Sequence, residues 1–105
     1  MIARRVDTLE VLSCEPRERR HEAPLLFVHG AFAGAWVWDE HFLPWFAGQG
    51  YSVHALSLRG HGSSDGHERI DWHSVHDYVE DLARVIEDLA AAPVLVGHSM
   101  GGFVV

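Results

Sequence analysis

Five residues near the end of the chain, Gly97-His98-Ser99-Met100-Gly101, have the types and spacing for nucleophilic chemistry at a serine. A serine hydroxyl attacks an acyl carbon only when it is held exposed, beside a base and beside donors that stabilise the developing oxyanion. The short, mostly β-branched run Val94-Leu95-Val96 precedes the pentapeptide, and small residues that can open a helix follow it. That order reads as strand, sharp turn and helix, with Ser99 at the tip of the turn in a strained backbone conformation. Strand and helix then meet so closely that side chains at positions 97 and 101 would collide. Glycine at both positions relieves the crowding.

Such a serine needs a rigid sheet to present it, and the preceding chain supplies candidate strands and helices in alternation. Residues 6–13 read as one strand, and Glu15 to Arg20 as a charged turn. Pro24-Leu25-Leu26-Phe27-Val28-His29-Gly30 is a continuous apolar run that stops at glycine, the mark of a strand buried on both faces. Asp39 to Gly48 reads as a short helix whose Phe42, Leu43, Trp45 and Phe46 lie on the sheet, with Pro44 tolerated near its first turn. A strand at 52–57 and a glycine-rich loop at 59–66 follow. Val75, Tyr78, Val79, Leu82, Val85, Ile86 and Leu89 fall at helical spacing, with Ser74 placed to cap the helix and Glu80 and Arg84 placed to pair along it. Pro93 leads into the last strand, 94–97. Alternating strands and helices predict an α/β fold with a mostly parallel sheet.

Composition narrows the function classes. A hydrophobic content of 48% is ample for a packed core, and the formal net charge of −7 comes with eight basic residues and no basic stripe interleaved with aromatics. Nucleic acid is therefore not an expected partner. Cys14 is the one cysteine, so an internal disulfide is excluded and a reducing compartment is expected. Residues 1–20 lack the apolar core of a signal peptide, and no apolar run approaches the ~20 residues that span a bilayer. The expectation is a cytoplasmic protein without a membrane partner.

Three blocks in register, His29-Gly30, Arg59-Gly60-His61-Gly62 and Gly97-His98-Ser99-Met100-Gly101, together resemble the α/β-hydrolase family, in which they follow the third, fourth and fifth strands. The segment from His29 to Trp38 is most similar to the branch of small esterases and methylesterases. A serine at position 99 argues against the dehalogenase and epoxide-hydrolase branches, which place an aspartate there. His29-Gly30 departs from the hydroxynitrile lyases, which have a threonine after the histidine. The resemblance implies a serine hydrolase acting on a carboxylic ester through an acyl-enzyme. Ser99 is its nucleophile, the amides of Ala31 and Met100 form its oxyanion hole, and no cofactor is needed. Phe32, Trp36 and Trp38 are candidates for an apolar acyl pocket, and aromatic residues here serve a core equally well.

The family's triad runs Ser, then Asp or Glu, then His in chain order. The chain stops at Val105, six residues past Ser99. The expectation is therefore the N-terminal part of a single α/β-hydrolase domain over residues 1–105, truncated after the nucleophile elbow and inactive alone. Nine histidines are present, none of them in the order that the triad requires. His98 should point away from the serine, and His29 should brace the oxyanion loop by a backbone hydrogen bond. His54 belongs in a strand, and His41, His73 and His76 belong on helix or loop surfaces. Two other classes stay open. One is a ligand-binding module of this fold without catalysis. The other is a metal-dependent hydrolase in which His61, Asp65 and His67, within one glycine-rich loop, hold zinc. The expected partner is a small acyl substrate, and the uncovered edge at Val94, Leu95 and Val96 favours self-association.

Overall fold

A computed structural model describes all 105 residues apart from the side chains of Ile70 and Asp71. Five strands form one sheet: β1 (Ile2–Val6), β2 (Leu9–Cys14), β3 (Leu25–Val28), β4 (Val53–Leu56) and β5 (Val94–Gly97), in the order β1-β2-β4-β3-β5. β4, β3 and β5 are parallel neighbours, with Leu25 opposite both Val53 and Val94. β2 runs antiparallel to both β1 and β4, so it alone points against the other four.

The single strand expected over 6–13 is instead a hairpin. Val6 pairs with Leu9, and Asp7 turns the chain at φ 54°. Aspartate is one of the few side chains that visits this left-handed region at little cost. Arg84 Nε donates to the Asp7 carboxylate at 2.6 Å and ties the turn to the helical layer.

The apolar run of β3 is continuous because helices cover both faces of the sheet. Leu25 and Phe27 point to one side and pack with Val53, Ala55, Ala35, Trp38, Leu43 and Ala47. Leu26 and Val28 point to the other and pack with Leu56, Leu58, Tyr78, Leu82, Val85 and Val104. The first layer is a 3-10 turn (Ala35–Trp38) and helix α1 (Phe42–Gly48), with Pro44 in the first turn, where its missing N–H costs nothing. Only Leu43 and Ala47 of α1 are fully buried. Phe42 and Trp45, expected on the sheet, remain about half exposed.

The second layer is α2 (Val75–Asp88) with the short α3 (Met100–Val104). Ser74 and Asp77 form a reciprocal capping box, each side chain bonded to the other's backbone amide. The buried stripe is narrower than its sequence suggests: Tyr78, Leu82 and Val85 are covered, whereas Val75 and Val79 stay exposed. The expected Glu80–Arg84 pair does not form. Arg84 reaches Asp7, and Glu80 lies 3.5 Å from Arg59 and 3.4 Å from His76. No helix among the described residues is long and apolar enough to cross a membrane.

Candidate active site

Ser99 sits between β5 and α3 at φ 55° and ψ −119°, a backbone conformation that a side-chain-bearing residue seldom adopts. Two glycines make that turn possible. A Cβ on Gly97 would lie 2.5 Å from the Gly101 carbonyl oxygen, and one on Gly101 would strike the Val28 oxygen and come within 2.8 Å of the His29 oxygen. Strand β5, helix α3 and the end of β3 therefore touch backbone to backbone, as the spacing in the sequence implies. Gly102, with open space around it, carries no such constraint. Amide bonds from Gly101 to His98 O and from Gly102 to Ser99 O close the turn at 2.9 Å each.

The loop after β3 lies against this serine. A Cβ on Gly30 would sit 3.3 Å from the Ser99 Cβ. Ala31 follows directly, and Phe32 takes φ 60° with its ring 83% exposed. Among the hydrogen bonds of the described residues, the amides of Ala31 and Met100 and the hydroxyl of Ser99 have no protein partner.

His29 anchors the start of that loop. Its ring is fully buried. Leu58 N–H donates to Nε2 at 3.0 Å, so Nδ1 carries the proton and donates to Gly30 O at 2.6 Å. Burial, aided by the neighbouring His61, pushes its pKa down to about 4 against the pull of the Gly30 carbonyl. A neutral ring is the form that both bonds require. The expected bracing role is thus matched by a contact 29 residues away in sequence.

No histidine among the described residues bonds Ser99. His98 is exposed, with its ring edge-on to Trp38 at 6.4 Å. His54 is buried in β4 between Ser13, 2.7 Å from Nδ1, and Ser52, 3.3 Å from Nε2, and burial lowers its pKa. His41 and His76 are on the surface as expected, whereas His73 is partly covered and bonded to Gly66 O. Of the three aromatic candidates for an acyl pocket, Trp38 lies in the core 5.0 Å from Phe27, Trp36 is 58% exposed, and Phe32 is exposed on the loop after β3, its ring 6.3 Å from His61.

The zinc arrangement is not assembled. His61 Nδ1 bonds Arg59 O, His67 Nε2 bonds Gly62 O, and Asp65 accepts from Arg5 at 2.8 Å. Among the described residues no three His, Cys, Asp or Glu side chains converge on a point. The buried His61 ring packs instead 4.9 Å from His29, 5.7 Å from Tyr78 and 6.3 Å from Phe32.

The sequence profile of the alpha/beta hydrolase family matches residues 25–105. The chain belongs to the alpha/beta hydrolase family. Among relatives it is similar to a non-heme chloroperoxidase of Streptomyces lividans, 40% identical over 79% of this chain and 29% of that protein. It is also similar to methyl jasmonate esterase 1 of Vitis vinifera, 36% identical over 84% of this chain and 32% of that protein. Among solved structures it resembles the thioesterase domain from the curacin biosynthetic pathway, with a TM-score of 0.77 and 34% identity over 91% of this chain and 33% of that domain. The chain thus spans about a third of the length of these hydrolase-family proteins.

Two polar clusters near these loops escape a reading by motif. Asp81, 5% exposed, accepts from Arg59 N at 2.8 Å and from the Arg59 guanidinium at 2.9 and 3.0 Å, fixing the loop after β4 to α2. Its signal is a carboxylate inside the apolar stripe of α2. Glu10 and Ser57 are the second group, 47 residues apart and joined by a 2.7 Å bond. No sequence spacing announces them.

Proposed function

We propose that the chain carries the nucleophilic half of a serine hydrolase that cleaves a carboxylic ester through an acyl-enzyme. The observation that carries this reading is Ser99 itself, held at φ 55° on a turn that only Gly97 and Gly101 permit, with its hydroxyl exposed and without a protein partner. In this reading Ser99 Oγ attacks the acyl carbon, and the carbonyl oxygen becomes an oxyanion that accepts from the Ala31 and Met100 amides. Collapse of that intermediate expels the alcohol and leaves an acyl-serine, which water then hydrolyses. Phe32 contacts the acyl or alcohol group. A serine at the elbow favours ester chemistry over the epoxide opening named for some of the relatives. The esterase relatives point the same way.

In this reading the base and acid lie outside these 105 residues, because no described histidine bonds Ser99. The chain alone is accordingly inactive. The test is prolonged incubation with a fluorophosphonate in the presence of imidazole as an external base, followed by peptide mass mapping. The expected result is one adduct, on Ser99, lost in Ser99→Ala, together with nitrophenyl acetate turnover barely above background. Absence of the adduct would favour the ligand-binding module. Fast turnover abolished by Ser99→Ala would show that a histidine of this chain serves as base.

A further inference from the structure

Two clamps hold the loop from Gly30 to Ala35, and only the first, His29, belongs to a motif. The second closes its far end. Ala35 N–H donates to Ser57 Oγ at 2.9 Å, and the Ser57 hydroxyl donates to Glu10 Oε1 at 2.7 Å. Ser57 and Ala35 are completely buried. The same Glu10 oxygen accepts from Ser63 N–H at 3.0 Å, and the Glu10 amide donates to Ser64 Oγ at 2.8 Å. Glu10 thus gathers a hydroxyl and an amide from the chain that follows β4. The space is tight. A Cβ on Gly62 would strike Ser57 Oγ and come within 2.6 Å of Glu10 Oε1, and one on Gly34 would come within 3.0 Å of Gly62 Cα.

The direction of these bonds is forced. Burial pushes the Glu10 carboxyl up, but the Ser63 amide, the Ser57 hydroxyl and Arg5 outweigh it and hold the group below the ordinary glutamate range. An ionised carboxylate only accepts, so the Ser57 proton turns toward it and a lone pair of Ser57 Oγ is left facing Ala35 N–H. Without the carboxylate that hydroxyl is free to rotate, and the buried Ala35 amide loses its fixed acceptor.

From this geometry we propose that Glu10, acting through Ser57, is a positioning residue that sets the 30–35 loop and with it the Ala31 amide beside Ser99. This rests on the reading of Ala31 as an oxyanion donor only for its consequence in catalysis. The positioning is a property of the folded chain and is tested there.

The experiment is amide hydrogen exchange and 1H–15N spectroscopy on the 105-residue protein and three variants. Ser57→Ala removes the acceptor and should speed exchange at Ala35 by about tenfold, the cost of an unsatisfied buried donor. Glu10→Ala should speed it by a few fold and move the Ala31 amide resonance. Glu10→Gln keeps an oxygen at the Oε1 position and should restore both readouts. Unchanged Ala35 exchange in Ser57→Ala and Glu10→Ala would overturn the proposal. So would a loosened Ala35 with a fixed Ala31 resonance, because the clamp would then not reach the donor. Glu10→Gln behaving like Glu10→Ala would show that the carboxylate charge, and not an oxygen accepting from Ser57, sets the loop, and would overturn the relay through Ser57. If Glu10→Ala does not fold, Ser57→Ala, one atom smaller at a buried site, decides alone. Failure of the hydrolase reading shows separately, as the absence of a fluorophosphonate adduct on Ser99 in the unsubstituted chain.

Discussion

His29 makes a measurable link between proton and fold. Its ring is fully buried and neutral, accepting from Leu58 N–H at one nitrogen and donating to Gly30 O at the other. Protonation would add an N–H at Nε2 pointing at the Leu58 N–H, so the charged form loses a bond as well as its hydration. In the unfolded chain the same ring titrates near 6.5, in the folded chain at about 4. A folded pKa below the unfolded one means that the unfolded state binds the extra proton across that window. The contribution of His29 is therefore fully present above pH 6.5 and lost as pH falls toward 4. At 1.36 kcal/mol for each tenfold change in proton affinity, the gap is worth about 3 kcal/mol. His54 is also depressed by burial and adds a loss of the same sign, so a difference measurement is needed. Urea unfolding at several pH values between 4 and 7 should show the unsubstituted chain losing about 3 kcal/mol more than His29→Gln. Parallel stability curves for the two proteins, or a folded-state His29 ring that titrates near 6.5 by NMR, would refute the reasoning.

Two further outcomes follow from other contacts. Asp81→Ala leaves Arg59 with Asp77 at 3.8 Å and Glu80 at 3.5 Å, so the loss of stability should be about 2–3 kcal/mol, near the lower end for a broken buried pair, as read by urea unfolding. β5 pairs only with β3 and leaves its other edge unpaired, with Val94 53% exposed, so the chain should self-associate through that edge at micromolar concentration. Val94→Lys should reduce the association in sedimentation, and a monodisperse monomer of the unsubstituted chain would refute the expectation.

What was legible in the sequence depended on whether a contact is local. The buried run Leu25–Val28 and the Ser74–Asp77 cap show in local periodicity and spacing, and so does the 97–101 glycine pair, whose Gly97 meets Gly101 across the turn, although Gly101 also meets the distant Val28 and His29 carbonyls. The hairpin was missed because Asp7-Thr8 lacks the glycine that usually marks a two-residue turn, and Asp7 reaches a positive φ without one. The Glu80–Arg84 pair failed because a surface pair at helical spacing gains only a few tenths of a kcal/mol, and the tertiary partner Asp7 outcompetes it. Glu10 was invisible because nothing in the neighbourhood of an exposed-looking β-strand glutamate points to a serine 47 residues later.

These long-range contacts share one place in the chain. Ser57, Leu58 and Arg59 stand in succession just past β4: Ser57 holds the Ala35 end of the loop after β3, Leu58 its His29 end, and Arg59 helix α2 through Asp81. Immediately after them, Gly60 at φ 75° and Gly62 at φ 51° turn the chain back, so that His61 is buried against His29 and Tyr78. The Arg59-Gly60-His61-Gly62 block therefore puts no described side chain in bonding contact with Ser99. Its role in this fold is mechanical. A strained turn holds its geometry only when the surrounding structure over-determines it, and here the strand next to β3 ties both ends of the facing loop and the helix behind it within three residues. A substitution in this stretch should therefore move the loop facing Ser99 without touching the serine.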